Sequence, residues 1–150
     1  MIPLLAMKDV SAGYVEDIDI LRRLNLGVAP GAITGLIGLN GAGKSTIMKT
    51  ICGFLHPRLG TIAFDGIDIR MIAPHRIIDH GICYIPQESG LFPYMSVHDN
   101  LRLPLDHLER QNKGASRPDL AARLEDVFAK FPVLRERRLA KILPGRMRRR

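Results

Sequence analysis

The chain has 150 residues, of which 46 % are hydrophobic, and a net charge of +7, a composition that suits one globular domain with a modest core and excludes a low-complexity polymer. No apolar run approaches the ~18 residues of a membrane helix, and the opening MIPLLAMKDV is too short and lacks the basic start of a signal peptide, so a cytosolic setting is the default expectation. The charge is local: residues 135–150 carry eight basic side chains against one acid, and the remainder holds fourteen of each sign, so the basicity belongs to a tail and no nucleic-acid partner is expected.

In chain order, residues 7–14 read as a strand, followed by a loop through Glu16 and Asp17, and residues 20–28 as a second strand. Pro30-Gly31 turns into a short apolar segment, 32–37, expected as a buried strand. A glycine-rich loop follows, then a helix over 46–52 with Ile47, Met48 and Ile51 on one face and Gly53 just past its end. Pro57-Arg58-Leu59-Gly60 reads as a turn, and TIAFDGIDI alternates around Asp65-Gly66, the strongest hairpin signal in the chain. Residues 73–80 predict a short helix stopped by Gly81, and 82–85 a compact strand ended by Pro86. Ser96 to Asp99 form a capping box ahead of a helix. Residues 109–117 are expected as a loop, and 119–131 as an amphipathic helix whose Leu120, Leu124, Val127, Phe128 and Phe131 pack into a core. Cys52 and Cys83 have no metal-ligand spacing and are read as buried apolar thiols, and the five histidines are scattered. The order suits an α/β core with an antiparallel β subdomain in front.

The chemistry lies in the glycine loop. Gly38-Leu39-Asn40-Gly41-Ala42-Gly43-Lys44-Ser45 fits G-x-x-x-x-G-K-[ST], between an expected strand and an expected helix, which is the context that the pattern requires. Without Cβ atoms in the way, backbone N–H groups of Gly38, Asn40, Gly41 and Gly43 converge on phosphate oxygens, and the helix N-terminus at Ser45 and Thr46 adds a favourable dipole. Lys44 reaches the β- and γ-phosphates as a point charge, and the Ser45 hydroxyl is suited to ligate Mg²⁺. The residues thus point to a nucleoside triphosphate, with ATP and Mg²⁺ as cofactors.

Together, VSAGYVEDIDILRRLNLGVAPGAITGLIGLNGAGKST and YIPQESGLFPYMSVHDNL resemble the ATP-binding subunit of an ABC transporter, closest to the type serving branched-chain amino acid uptake. The resemblance implies a P-loop NTPase core with an N-terminal antiparallel β subdomain and a following helical segment. It makes residues 1–150 a partial ATP-binding domain, with the Q-loop and helical region near 84–131 and a basic tail at 135–150. It implies that Tyr14 stacks on adenine and that Gln87 approaches Mg²⁺ and the γ-phosphate; taken by themselves, Tyr14 reads as a core tyrosine and Gln87 as a loop residue. The implied partners are transmembrane permease subunits and a second ATP-binding subunit, which would hold the chain on the inner face of the cell membrane. There are departures. Leu39 stands for the family's usual proline. At the end, Leu143 and Gly145 match the signature run, while Pro144 and Arg146 replace its serine and glycine. The family's Mg²⁺-associated aspartate, catalytic glutamate and switch histidine have no counterpart in the chain, which is therefore expected to bind ATP without the hydrolytic residues. A nonfunctional fragment, and a small P-loop kinase or GTPase, are the alternative readings.

Overall fold

A computed structural model describes residues 2–87, 90–111 and 117–141. The chain forms two compact units, residues 1–85 and 86–150.

In the first unit, β1 (Leu5–Ala12) pairs antiparallel with β2 (Leu21–Val28) on one side and β3 (Leu59–Phe64) on the other, and β4 (Ile67–Asp68) closes a hairpin with β3. The sheet order is β2-β1-β3-β4. The hairpin turns at Asp65 and Gly66, both at positive φ (47° and 77°), as a turn matched to the strand twist requires. The buried apolar residues of β1 are Leu5, Met7, Val10 and Ala12, which breaks a strict period of two. A register shift between Met7 and Val10 absorbs the extra residue, with Asp9 at φ 49°, so that Val10 turns back inward. Side chains replace the lost ladder: Asn25 Oδ1 accepts the Asp9 N–H at 3.1 Å, and Ser11 Oγ accepts the Arg23 N–H at 3.1 Å.

Helix α1 (Lys44–Ile51) buries Ile47 and Ile51 with Leu21, Ile62, Ile69 and Ile77 in the same core. Burying such a side chain is worth roughly 1.5–3 kcal/mol. The expected short helix is a 3-10 helix, Pro74–His80, with proline at its start and Gly81 at φ 87° closing it.

Two expected strands are not strands. Among the described residues, no segment pairs with 32–37 or 82–85, and Ile33, Ile37 and Ile85 are almost wholly exposed (104, 100 and 87 %). A strand exists through its ladder, and apolar content without a partner leaves its backbone and side chains to solvent. Cys83 lies in the second of these segments and is exposed, against the expectation of a buried thiol, whereas Cys52 is buried. Leu36, Ile82 and both cysteines line an apolar cavity of about 250 Å³ with Leu5, Leu26, Val28 and Met48.

The second unit is helical: α2 (Val97–Gln111), α3 (Arg117–Lys130) and the short α4 (Pro132–Glu136). The capping box forms as expected. Ser96 Oγ accepts the Asp99 N–H at 3.0 Å and donates to Asp99 Oδ2 at 2.6 Å. Of the expected apolar face of α3, Phe128 is buried, while Phe131 lies beyond the helix and is 56 % exposed. Leu143, Pro144, Gly145 and Arg146 lie outside the described residues.

Candidate functional site

The glycine loop enters α1 through backbone geometry that a side chain resists. Gly41 and Gly43 sit at φ 86° and 89°, where an L-residue is strained. Gly43 is the residue capping α1, and no side chain bonds the helix's free N–H groups. The first bond into the helix runs from the Ile47 N–H to the Gly43 carbonyl at 2.9 Å. The N–H groups of Lys44, Ser45 and Thr46 precede it and face outward from the helix start, as an anion site requires. The turn itself is closed by the Ala42 N–H donating to the Leu39 carbonyl at 3.1 Å. Gly43 is also packed: a Cβ there would meet Leu21 Cδ2 at 3.2 Å and Ile20 Cγ2 at 3.4 Å.

Lys44 bends back over this loop. Its Nζ donates to the carbonyls of Gly38 and Leu39, both at 2.7 Å. The ammonium is thereby held against the backbone that leads into the turn at Asn40 and Gly41. Asn40 and Ser45 are exposed. A phosphate chain fits this cradle: two glycines at positive φ, an uncapped helix start and one fixed cation.

Tyr14 does not belong to β1, which ends at Ala12, but to the loop before β2. It is 53 % exposed, so the core reading of this tyrosine fails. Lys49 Nζ lies 5.1 Å from the ring centroid, a cation–π distance. The phenol is pulled below its ordinary value, chiefly by the Thr46 side chain; burial opposes this, and the Lys49 ammonium adds to the lowering. Thr46 is itself buried and lies in the first turn of α1. Lys49 was not singled out by the sequence; its i, i+3 spacing from Thr46 on a helix is the signal that places both on one face.

Gln87 is exposed and belongs to the second unit, whereas Lys44, Ser45 and Tyr14 belong to the first. Phe92, five residues on, is clamped by the Asn100 side chain, which accepts its N–H at 2.8 Å and donates to its carbonyl at 3.0 Å. Among the described residues no cluster of three His, Cys, Asp or Glu side chains is placed to hold a metal.

Comparison with known proteins places these features in a family. The family profile described as ABC transporter matches residues 21–149. A ribose import ATP-binding protein of Burkholderia thailandensis is 42 % identical over 112 residues, covering 69 % of this chain and 22 % of its own length. One of Streptomyces coelicolor is 39 % identical over 99 residues, covering 66 % and 19 %. A putative ribose/galactose/methyl galactoside import ATP-binding protein of Pseudomonas savastanoi is 38 % identical, covering 70 % and 20 %. Among solved structures, an ATP-binding subunit of an ABC transporter superposes with a TM-score of 0.70 at 33 % identity, over 92 % of this chain and 53 % of that one. A dimeric ATP-binding cassette bound to ADP and Pi superposes at 0.73 with 22 % identity, over 91 % and 61 %, a likeness of fold alone. The chain spans about a fifth of the length of these curated relatives and just over half that of the solved chains.

Proposed function

The chain belongs to the ABC transporter ATP-binding family, and from that premise we propose that it binds ATP with Mg²⁺ as the nucleotide-binding part of a solute importer. The observation that carries this reading is the uncapped start of α1 behind Gly43, with Lys44 Nζ held 2.7 Å from two loop carbonyls beside it. In this reading the N–H groups of Gly41, Gly43, Lys44, Ser45 and Thr46 bind the phosphate oxygens, and Gly38 and Asn40 shape the turn around them. Lys44 neutralises the β- and γ-phosphates, Ser45 offers its hydroxyl to the metal, and Tyr14 stacks on adenine. Mg²⁺, held there by the Ser45 hydroxyl, would supply neutralisation of the phosphate charge. Gln87 is proposed to approach Mg²⁺ and the γ-phosphate; a neutral amide accepts or donates there without repelling phosphate.

The solute class follows the relatives. Their names specify ribose and galactose import, so a sugar is favoured, and the expectation of branched-chain amino acids finds no support in those names. Transmembrane permease subunits and a second ATP-binding subunit are the proposed partners. No helix among the described residues is long and apolar enough to cross a membrane, and the proposed location is the inner membrane face, held through the permease.

The test is calorimetric titration of Mg-ATP into the folded chain and its Lys44→Ala variant. Lys44→Ala is expected to weaken binding by more than tenfold, about 1.4 kcal/mol or more. Equal affinity in the two proteins overturns the reading.

A further inference from the structure

The loop that carries Tyr14 is braced from a distant part of the chain. Its own bonds are few: the Ile18 N–H donates to the Val15 carbonyl at 3.2 Å and the Ile20 N–H to Ala12 at 2.9 Å. Arg58, 39 residues from Asp19 and in the turn between α1 and β3, reaches into it. The Arg58 backbone is fixed first, its N–H donating to the Ser11 carbonyl of β1 at 2.8 Å. Its guanidinium then holds both limbs of the loop. Nη1 donates to the Val15 carbonyl at 3.1 Å, Nε donates to Asp19 Oδ1 at 2.9 Å, and Nη2 donates to the same carboxylate oxygen. Both side chains are about two-thirds shielded (34 and 32 % exposed). The loop closes tightly around them: a Cβ on Gly13 would lie 1.8 Å from the Ile18 carbonyl oxygen and 2.9 Å from Arg58 Nη2.

We propose that Arg58 is a positioning residue for nucleotide binding, setting the adenine affinity of the site by fixing the backbone on either side of Tyr14. The inference rests on the reading of the glycine loop and Tyr14 as an ATP site. An aromatic ring gains from stacking on a base to the extent that it is already held in place, because ordering a free loop on binding subtracts from the affinity. Val15 adjoins Tyr14 directly, and Asp19 ends the same loop, so one planar fork immobilises the segment between them. Lysine offers a point charge without that fork. A surface ion pair that merely stabilises the fold would contribute little and act equally on every ligand. A positioning role acts on the base alone.

Two probes separate these roles: Mg-ATP, which uses base and phosphates, and inorganic tripolyphosphate, which uses the glycine loop alone. Arg58→Ala is expected to weaken Mg-ATP binding about tenfold, the low end of what a lost base–aromatic stack costs, and to leave tripolyphosphate affinity unchanged. Asp19→Ala, in an exposed loop, reproduces the loss, and Arg58→Lys does not restore full affinity. In a Tyr14→Ala background, Arg58→Ala adds no further loss. Wild-type ATP affinity in both Arg58→Ala and Asp19→Ala overturns the inference. So does an equal loss for both ligands, or a loss additive with that of Tyr14→Ala. A wild-type chain that binds neither probe overturns the ATP reading itself, and this inference with it.

Discussion

Three glycines in and before the phosphate loop carry opposite expectations for the same substitution. Gly43→Ala forces an L-residue to φ 89° and drives its Cβ to 3.2 Å from Leu21 Cδ2, a side chain buried at the start of β2. The backbone conformation costs about 1–2 kcal/mol, and the contact adds a fraction of the ~1–3 kcal/mol typical of overpacking, for a total near 2 kcal/mol. Gly41→Ala carries the same φ penalty at 86° but opens onto space with nothing within 4 Å, so about 1–2 kcal/mol is expected from the backbone alone. Gly35 has neither positive φ nor a neighbour within 4 Å. There alanine restricts the unfolded chain and is expected to stabilise by about 0.4–1 kcal/mol. Urea unfolding followed by circular dichroism, with equal slopes required of all four proteins, measures the series. Mg-ATP titration should follow the same rank among the two loop variants, because Gly43 sets the direction of Lys44. Gly43→Ala as stable as wild type, or Gly35→Ala the worst of the three, would refute the reasoning that the loop's glycines are there for their backbone conformation.

Other expectations are simpler. The Asp99 carboxyl is held below its ordinary range first by the Ser96 hydroxyl and then by His98. A depressed folded-state value stabilises above the unfolded carboxylate pKa of about 3.9 and is lost as pH falls through the folded value. The stability gap between wild type and Asp99→Asn should therefore close between roughly pH 4 and the depressed value; a gap unchanged down that range refutes the capping box as a charged interaction. Burial raises the Cys52 thiol, with the neighbouring Cys83 adding to it. A thiol reagent at pH 8 should label Cys83 at once and Cys52 only on unfolding, and rapid labelling of both would contradict the burial. Amides of residues 33–37 and 83–85 should exchange with solvent far faster than those of Met7 and Ile62 in the β1–β3 ladder. Comparable protection would show a partner strand for them.

What the sequence disclosed was whatever a residue decides locally. Asp65-Gly66 makes its own turn, Ser96 and Asp99 make their own cap, and Gly41 and Gly43 take positive φ because they lack Cβ. The strands expected at 32–37 and 82–85 failed because apolar content predicts burial only if a neighbour exists, and pairing is not a property of the segment. The expected burial of Cys83 failed with its strand. The bulge at Asp9 was hidden because the bonds that compensate it depend on pairing: Asn25 reaches it from β2, and Ser11 of β1 bonds across to Arg23 of β2. The tie from Arg58 to Asp19 spans 39 residues and joins two stretches that each read as ordinary turns.

The pose of Lys44 bears on how a nucleotide would be received. Its ammonium already has two protein oxygens as solvation, the Gly38 and Leu39 carbonyls. On the proposed reading, an arriving phosphate would not meet a bare ion; it would take the place of those carbonyls as acceptor. The new acceptor would carry a full negative charge where the carbonyls carry none, so the exchange would favour the phosphate. The same two bonds tie the side chain to the loop, so the ammonium is already in place before any phosphate arrives.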